Sequence, residues 1–278
     1  IEAGMGGLHD STNLFSPLAV ICPSIGLDHQ AVLGNTHAEI ATEKAGVLKN
    51  GASFIYATDR TDVRDVFKQK ANEEGSKTYE LGKDFTAEGS SHSFDFIYKE
   101  QRLEGIALAM AGQHQVANAS LAIMASLLLQ KDYPKVTPEL IKDALAHASW
   151  LGRTEFLMPN LMIDGAHNNE SVKVLIDLLR SEYADKDIEL LFAAIDTKPI
   201  DSMLAQLESV GDLTVTSFEY PNSVKLDKYP VTYKQVSDFQ TWIEEHVTAN
   251  DDKLYVITGS LYFISQVRKW ILEQESAV

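Results

Sequence analysis

Short apolar runs alternate with helical patterns throughout the second half of the chain, and this alternation restricts the fold more than any other feature of the sequence. Four of the runs are typical of β-strands: Leu161–Ile163, Leu190–Ile195, Leu213–Thr216 and Leu254–Ile257. Helical patterns such as Glu170–Tyr183 and Ile200–Val210 separate them. Strands joined through helices pair in parallel, because the helix carries the chain back to the start of the next strand. The sequence therefore predicts an α/β domain with a mostly parallel sheet and helices on both faces.

The first half also mixes strand and helix patterns. Its strand-like runs are Leu18–Ser24, Ser53–Ala57, Ser93–Tyr98 and Leu103–Ala109. Its helical patterns are Thr36–Lys49, Asp62–Gly75, Gln113–Leu129 and Pro138–Ala148, and Thr36 is a plausible N-cap of the first of them. The pattern changes near Trp150, so we expect two domains, residues 1–149 and residues 150–278.

Charge, hydropathy and cysteine content exclude several classes of protein. The formal net charge of −16 opposes a broad nucleic-acid surface, although a few local cations could still hold a small anion. The longest apolar stretches, such as Leu18–Ile25, are far shorter than the roughly 20 residues that cross a bilayer. The single cysteine, Cys22, excludes an internal disulfide framework and is typical of a reducing compartment. We expect a cytoplasmic monomer that binds small molecules and neither membrane nor nucleic acid.

Two short motifs in the first half could hold a cation. In Glu2-Ala3-Gly4-Met5-Gly6-Gly7 the glycines allow a sharp turn, and Glu2 stands before them at what we expect to be a strand end. In Ser24-Ile25-Gly26-Leu27-Asp28-His29 a histidine follows an apolar run, at the strand end where open α/β sheets place ligands. Taken singly, the first motif is better explained as a glycine-rich surface turn and the second as a histidine that forms hydrogen bonds in a loop.

A third motif, Glu43-Lys44-Ala45-Gly46-Val47-Leu48-Lys49, places a glycine inside a helical pattern. Glycine at such a position costs about 1 kcal/mol relative to alanine. Gly46 therefore predicts close packing against another part of the molecule. The neighbouring Glu43 and Lys44 would ordinarily form part of a solvated helix face.

Together, in this order and at these separations, the three motifs resemble the folylpolyglutamate synthase family, a branch of the Mur-type amino-acid ligases. The resemblance continues through four further blocks: Gly112–Ala119, Trp150–Glu155, Asp164–Asn168 and Thr258–Tyr262. These blocks cover the chain from end to end. The resemblance implies that residues 1–149 are the remainder of a P-loop-type ATPase domain and that residues 150–278 are a Rossmann-like glutamate-ligase domain.

The resemblance also implies a magnesium site in the first domain. Glu2 and His29 match residues that ligate Mg²⁺ beside the phosphates of ATP. Lys44 matches a lysine that is carbamylated, and this modification is chemically reasonable because a free ammonium would repel the ion, whereas a carbamate oxygen is the hard donor that it prefers.

The nucleotide contacts implied by the resemblance come from both domains. Asn118 and Arg153 match residues that contact ATP, and Asp164 and His167 match residues that face ATP and the incoming glutamate. Lys44, Asp164 and His167 are therefore the expected catalytic residues.

The implied reaction has two steps. The carboxylate of dihydropteroate, or the γ-carboxylate of a folate, attacks the γ-phosphate of ATP to give an acyl phosphate and ADP. The α-amine of L-glutamate then displaces phosphate and forms the amide. Such chemistry depends on positioning and charge neutralisation, to which Arg153, His167 and Lys198 would contribute. Cys22 needs no catalytic role.

The chain departs from the family pattern in one large respect. The family carries a P-loop upstream of the position of Glu2, and no Gly-x4-Gly-Lys-Ser/Thr pattern occurs in the 278 residues. Because the chain starts with Ile1, we expect it to be the remainder of a longer chain. We expect these residues alone to lack turnover, since the P-loop cradles the phosphates.

Two other interpretations stay open. A Mur-type ligase acting on a UDP-linked cell-wall precursor belongs to the same superfamily, but such enzymes typically have His-Asn where this chain has His114-Gln115. A degenerate homologue would bind a ligand without catalysis, and the joint presence of the candidate residues argues against it.

Overall fold

The computed structural model describes residues 1–248 and 252–275, and the chain divides into two compact units. The first unit is Ile1–Ala148 and the second is Ser149–Val278.

The first unit contains a small parallel sheet built from successive strand–helix–strand connections. Its strands are β1 (Ala19–Cys22), β2 (Ser53–Tyr56) and β3 (Thr78–Glu80), and they lie in that order with parallel pairing. Its helices are α1 (Gln30–Leu33), α2 (His37–Ala45) and α3 (Thr61–Glu74). The predicted Thr36 cap is confirmed: its side chain accepts from the N–H of Glu39, whose carboxylate accepts from the N–H of Thr36.

An aromatic cluster lies between this sheet and its helices. Phe54, Tyr56 and Phe67 pack with ring centroids 4.9–5.2 Å apart, and all three are fully buried. Tilted and edge-to-face contacts of this kind add to the stabilisation that burial provides. The cluster fixes α3 against β2, and so it helps to fix the ends of the strands.

The remainder of the first unit is an antiparallel sheet with two helices. The strands are β4 (Thr86–Ser90), β5 (Ser93–Tyr98) and β6 (Gln101–Ile106), and the helices are α4 (Gln113–Leu129) and α5 (Pro138–His147). The predicted bounds of α4 are confirmed without change. One apolar core joins this sheet to α4, and it includes Phe94, Phe96 and Met124.

The second unit is a six-stranded sheet. Its strands are β7 (Glu155–Met158), β8 (Leu161–Ile163), β9 (Asp187–Phe192), β10 (Asp212–Val215), β11 (Lys234–Gln235) and β12 (Lys253–Thr258). They lie in the order β11-β10-β9-β12-β8-β7, and every pair is parallel except β7 with β8. The helices are α6 (Asn169–Glu182), α7 (Ile200–Leu207), α8 (Phe239–His246) and α9 (Leu261–Glu275).

Helices cover both faces of this sheet, as the alternation predicted. Ile257 and its neighbours on one face pack with side chains of α8 and α9, among them Trp242 and Phe263. Val256 faces the other way, because successive side chains of a strand alternate, and it is also fully buried. The buried apolar side chains of α6 and α7 account for the cover on that side. The predicted α/β fold with a mostly parallel sheet is therefore confirmed.

Two expectations need correction or completion. Glu2 does not stand at a strand end: no strand is assigned to the first ten residues, because the described strand β1 pairs only with β2. Strand β7 and helices α8 and α9 were not predicted. Within the described parts of the chain, no helix has the length and apolar character that crossing a membrane requires.

Candidate active site

The carboxyl ends of β8, β9 and β12 form the edge of the sheet where three of the predicted site residues lie. Strand β12 stands between β8 and β9, so the segments that follow these strands are neighbours. Gly165 and Gly259 keep this edge close-packed. A Cβ on Gly165 would lie 2.3 Å from Cδ2 of Leu261, and a Cβ on Gly259 would lie 2.5 Å from the carbonyl oxygen of Ala193. Glycine is therefore required at position 259, where φ is 113° and the atom met belongs to the backbone, whereas at position 165 the exposed Leu261 side chain would have to move.

Asp164 follows β8 directly and is 7% exposed. One carboxylate oxygen accepts from the backbone N–H of Thr154 at 2.9 Å, and the other accepts from the N–H of Ala166 at 2.9 Å. Burial raises the pKa of this carboxyl, although both hydrogen bonds and the charges of Arg153 and His167 act in the opposite direction. Asp164 therefore joins two loops, and both Arg153 and His167 lie close enough to influence its charge.

Arg153 is exposed, but the turn that carries it is firmly held. The N–H of Gly152 donates to Oε2 of Glu155 at 2.7 Å, and the carbonyl of Gly152 accepts from the N–H of Gly165 at 2.8 Å. The other oxygen of Glu155 accepts from Nε of Arg268 at 2.8 Å. Thr154 has a φ of 43°, and its hydroxyl oxygen is buried without a hydrogen-bond partner among the described residues. That hydroxyl is a polar group able to bind a ligand atom or water.

His167 lies at the start of α6, and its orientation is defined. Its Nδ1 is 2.7 Å from the carbonyl oxygen of Gly165, so Nδ1 carries the proton and Nε2 keeps its lone pair in the neutral ring. Asn168 and Ser171 form a reciprocal cap at the helix start. The amino end of a 14-residue helix favours negative charge, so this segment suits a phosphate or a carboxylate.

A cavity of about 840 Å³ lies along the same edge, after β9 and β10, and lysines line it. The sequence interpretation named Lys198 as a source of positive charge but missed Lys225 and Lys228, which also line the cavity. The segments that carry Lys198 and Lys225 are distant in sequence and are joined by a backbone hydrogen bond, in which the N–H of Val224 donates to the carbonyl of Ala194 at 2.9 Å. Asp196 and Asp201 line the same cavity, so its lining carries charges of both signs with one lysine in excess.

In the first unit, Lys44 lies beside the end of β1. Burial raises the pKa of the Cys22 thiol to about 11, and the positive charge of Lys44 opposes that rise, so the two side chains are near each other. The glycine motif packs on the same turn of α2: a Cβ on Gly7 would lie 2.7 Å from the carbonyl oxygen of Lys44. The prediction that Gly46 marks close packing is confirmed, because a Cβ there would lie 2.4 Å from Cβ of Leu8.

The other predicted residues of the first unit are exposed. His29 follows β1 with a φ of 52°, and its Nε2 is 4.0 Å from Asp28. Glu2 precedes the glycine motif, and Asn118 lies on α4 with its amide 3.1 Å from Oε1 of Gln115. The structure thus brings Lys44 to the end of β1 and His29 to the loop after that strand.

The donors of the first unit suit a magnesium ion that substrate oxygens would help to hold. Across residues 1–248 and 252–275, no three His, Cys, Asp or Glu side chains come together as a metal cage. Mg²⁺ rarely needs such a cage, since it usually keeps several waters and binds one or two protein carboxylates together with substrate phosphates. Among the residues that the sequence singled out in this unit, the exposed Glu2 could supply such a carboxylate.

Comparison with known proteins identifies the family of the chain. No model of a protein family matches the chain. The chain is 33% identical over 286 residues to the dihydrofolate synthase/folylpolyglutamate synthase of Bacillus subtilis, covering 96% of this chain and 66% of that protein. It is 30% identical to the folylpolyglutamate synthase of Lacticaseibacillus casei, covering 99% of this chain and 67% of that protein.

A solved structure gives the same result for the fold. A folylpolyglutamate synthase in complex with AMPPCP and folate superposes with a TM-score of 0.82 at 26% identity, over 98% of this chain and 65% of that one. The chain thus spans about two thirds of the length of the relatives that it matches. On its sequence and its fold, the chain belongs to the family of folylpolyglutamate and dihydrofolate synthases.

Proposed function

We propose that the protein is an ATP-dependent, ADP-forming ligase that joins L-glutamate to the carboxylate of dihydropteroate or to the γ-carboxylate of a folate. The observation that carries this proposal is the segment Asp164–Asn168 at the carboxyl end of β8. It combines a buried carboxylate, an oriented imidazole and a capped helix start, which together suit an anionic substrate. Membership of the family supports the same reaction, through an acyl phosphate intermediate.

In this proposal residues 1–149 form the ATPase domain and residues 150–278 form the glutamate-ligase domain. Asn118, Arg153, Asp164 and His167 are the proposed nucleotide contacts. Asp164 acts by holding the backbone of Thr154 and Ala166 in place, because both of its oxygens already accept hydrogen bonds. His167 presents Nε2 to the substrates, because Nδ1 is engaged with Gly165.

Glu2, His29 and a carbamylated Lys44 are the proposed ligands of Mg²⁺, which would neutralise charge on the phosphates of ATP. The position of Lys44 beside Cys22 at the end of β1 supports the assignment, because it places the lysine near the carboxyl end of a strand, where open α/β sheets bind ligands. The side chains of Glu2 and His29 are then expected to converge on one ion.

The lysine-lined cavity is the proposed position of L-glutamate. Lys198, Lys225 and Lys228 would attract its two carboxylates, and Asp196 and Asp201, which also line the cavity, would attract its ammonium. The balance of charge favours an amino acid that carries both signs over a bare polyanion. We further propose that the protein acts as a monomer in the cytoplasm, which the single buried cysteine and the acidic composition support.

The test is ADP release by the complete gene product. We expect release with dihydropteroate or tetrahydrofolate that depends on L-glutamate, and we expect His167→Gln to reduce it at least tenfold, whereas His246→Gln, in the same unit on α8, should leave it unchanged. Absence of glutamate-dependent release with either pteridine would reject the proposal. Release with a UDP-linked cell-wall precursor in their place would favour the Mur-type alternative.

A further inference from the structure

A second cavity, in the first unit, combines lysine side chains with an aromatic and aliphatic wall. It has a volume of about 570 Å³ and lies where three elements meet. The start of β3 contributes Lys77 and Tyr79, the turn between β5 and β6 contributes Tyr98 and Lys99, and the end of α4 leads into Lys131. Three separate parts of the chain therefore bring a lysine to one place.

This cavity is distinct from the candidate metal residues. It is at the amino end of β3, whereas His29 follows the carboxyl end of β1 in the same parallel sheet. The two features consequently lie at opposite edges of that sheet, and none of the cavity residues has a role in the proposed ligase reaction.

Two of the ammonium groups are held over aromatic rings. Nζ of Lys77 is 5.4 Å from the ring centroid of Tyr79, and Nζ of Lys99 is 5.0 Å from that of Tyr98. The two rings are themselves in edge contact, with centroids 6.1 Å apart. Ammonium groups within about 6 Å of a ring centroid are attracted to its face. Neither lysine forms a salt bridge with a described residue, although Glu100 also lines the cavity.

The backbone at Lys99 supports a role for its side chain. Lys99 has a φ of 55°, a left-handed conformation that residues other than glycine, asparagine and aspartate seldom adopt. Backbone strain of this kind tends to occur at functional sites. The turn thus holds a lysine, where glycine would be less strained, and this lysine is one of those that line the cavity.

The charge and shape of the cavity define the ligand. Its lining has three lysines and one acidic residue, Glu100, and therefore a net charge of +2 in a chain of net charge −16. The ammonium of Lys131 is only loosely associated with Asp132, at 4.0 Å. Leu127 and Leu128 supply an apolar wall. A phosphate monoester carries a charge of about −1.5 to −2 at neutral pH, which matches this lining, and the apolar wall suits an aromatic ring.

We propose that this cavity binds a small aromatic phosphate monoester, with the phosphate among the three ammonium groups and the ring against the leucine and tyrosine side chains. The alternative is that the aliphatic parts of the lysine side chains cover apolar surface and that the cavity binds no ligand. The two accounts differ in one respect: only the first predicts saturable binding that depends on both the phosphate and the ring.

The experiment titrates phenyl phosphate into the complete gene product and follows binding by calorimetry and by amide chemical shifts. We expect saturable binding, with shifts at residues of β3 and of the β5–β6 turn. The double variant Lys77→Gln/Lys99→Gln should weaken it at least tenfold. The matched control Lys68→Gln/Lys135→Gln removes two lysines of the same unit that do not line this cavity, and it should leave binding unchanged.

Inorganic phosphate and benzyl alcohol separate the two parts of the ligand, and each should bind at least fivefold more weakly than phenyl phosphate. Equal affinity for inorganic phosphate would overturn the role of the apolar wall. Absence of saturable binding, or equal binding by the Lys77→Gln/Lys99→Gln variant, would overturn the site itself. All these readouts are independent of ligase activity.

Discussion

Replacement of Gly46 by alanine tests how tightly the glycine motif is held against α2. Gly46 caps the carboxyl end of α2 with φ −59° and ψ −16°, so its backbone conformation suits alanine, which should stabilise the fold by about 0.4–1 kcal/mol because it restricts the unfolded chain. The new methyl group would, however, lie 2.4 Å from Cβ, 2.6 Å from Cα and 2.9 Å from the backbone nitrogen of Leu8. Two of these atoms belong to the backbone, so a side-chain rotation cannot relieve the contact.

The destabilisation caused by the close contact with Leu8 should exceed the stabilisation that alanine brings. Overpacking of this kind costs about 1–3 kcal/mol. Displacement of Leu8 also stretches the 2.8 Å hydrogen bond from its N–H to the carbonyl of Glu43, which contributes about 0.5–1.5 kcal/mol. We therefore expect Gly46→Ala to lower the free energy of unfolding of the first unit by about 1–3 kcal/mol, after the stabilisation from the restricted unfolded chain is subtracted.

The assay must report on the first unit. All three tryptophans of the chain, Trp150, Trp242 and Trp270, are in the second unit, so tryptophan emission would follow the wrong half. Amide hydrogen exchange in α2 during urea titration is suitable. The matched control is Gly4→Ala in the same motif, whose Cβ would be 3.4 Å from the nearest atom, and it should be neutral. A Gly46→Ala variant as stable as the wild type would refute the reasoning.

Three further predictions concern single side chains. Lys44→Ala should abolish nearly all ligase activity of the complete gene product and leave the circular dichroism spectrum unchanged. Lys44→Arg should be equally inactive, because a guanidinium cannot become an anionic ligand. Near-normal turnover by Lys44→Arg would exclude the carbamate. Asp164→Asn should destabilise the second unit by about 1–3 kcal/mol, measured by tryptophan emission. Each oxygen of Asp164 accepts from a backbone N–H, and the side-chain NH2 of asparagine would face one of these N–H groups without accepting from it. The hydroxyl of Thr12, together with nearby backbone N–H groups, lowers the pKa of Asp10 to about 2. Since this pKa is below the ordinary value of 3.8, the contribution of Asp10 to stability is complete above pH 3.8 and is lost as the pH falls through about 2. Asp10→Asn should abolish that pH dependence in the amide exchange of the glycine motif, and an unchanged profile would contradict the assignment.

The sequence predicted the features that local patterns determine. Helix α4 was placed at its observed bounds, and the cap at Thr36 followed from its residue type and position. Close packing at Gly46 was predicted because glycine inside a helix needs a compensating reason. Strand β7 was not predicted, because its side chains are mostly half-exposed and it pairs antiparallel as an edge strand of the sheet.

The arrangement of the site depended on contacts that no local pattern reveals. Asp164 was singled out by the resemblance, but its two hydrogen bonds require the turn at Thr154 to fold back onto β8. Lys225 was missed because it reaches the cavity of Lys198 only through the pairing of Val224 with Ala194. The sequence indicated which residue types belong to the site, whereas contacts between distant segments determine which of these residues lie together.

The position of β12 has a consequence for synthesis of the chain on the ribosome. This strand is the last of the described strands to emerge, yet it lies in the middle of the sheet and pairs with both β8 and β9. Until residues 253–258 have left the exit tunnel, these two strands expose open edges with no partner between them. The second unit therefore cannot fold progressively from its amino end, and nascent chains that stall shortly before residue 253 should remain sensitive to protease and prone to aggregation.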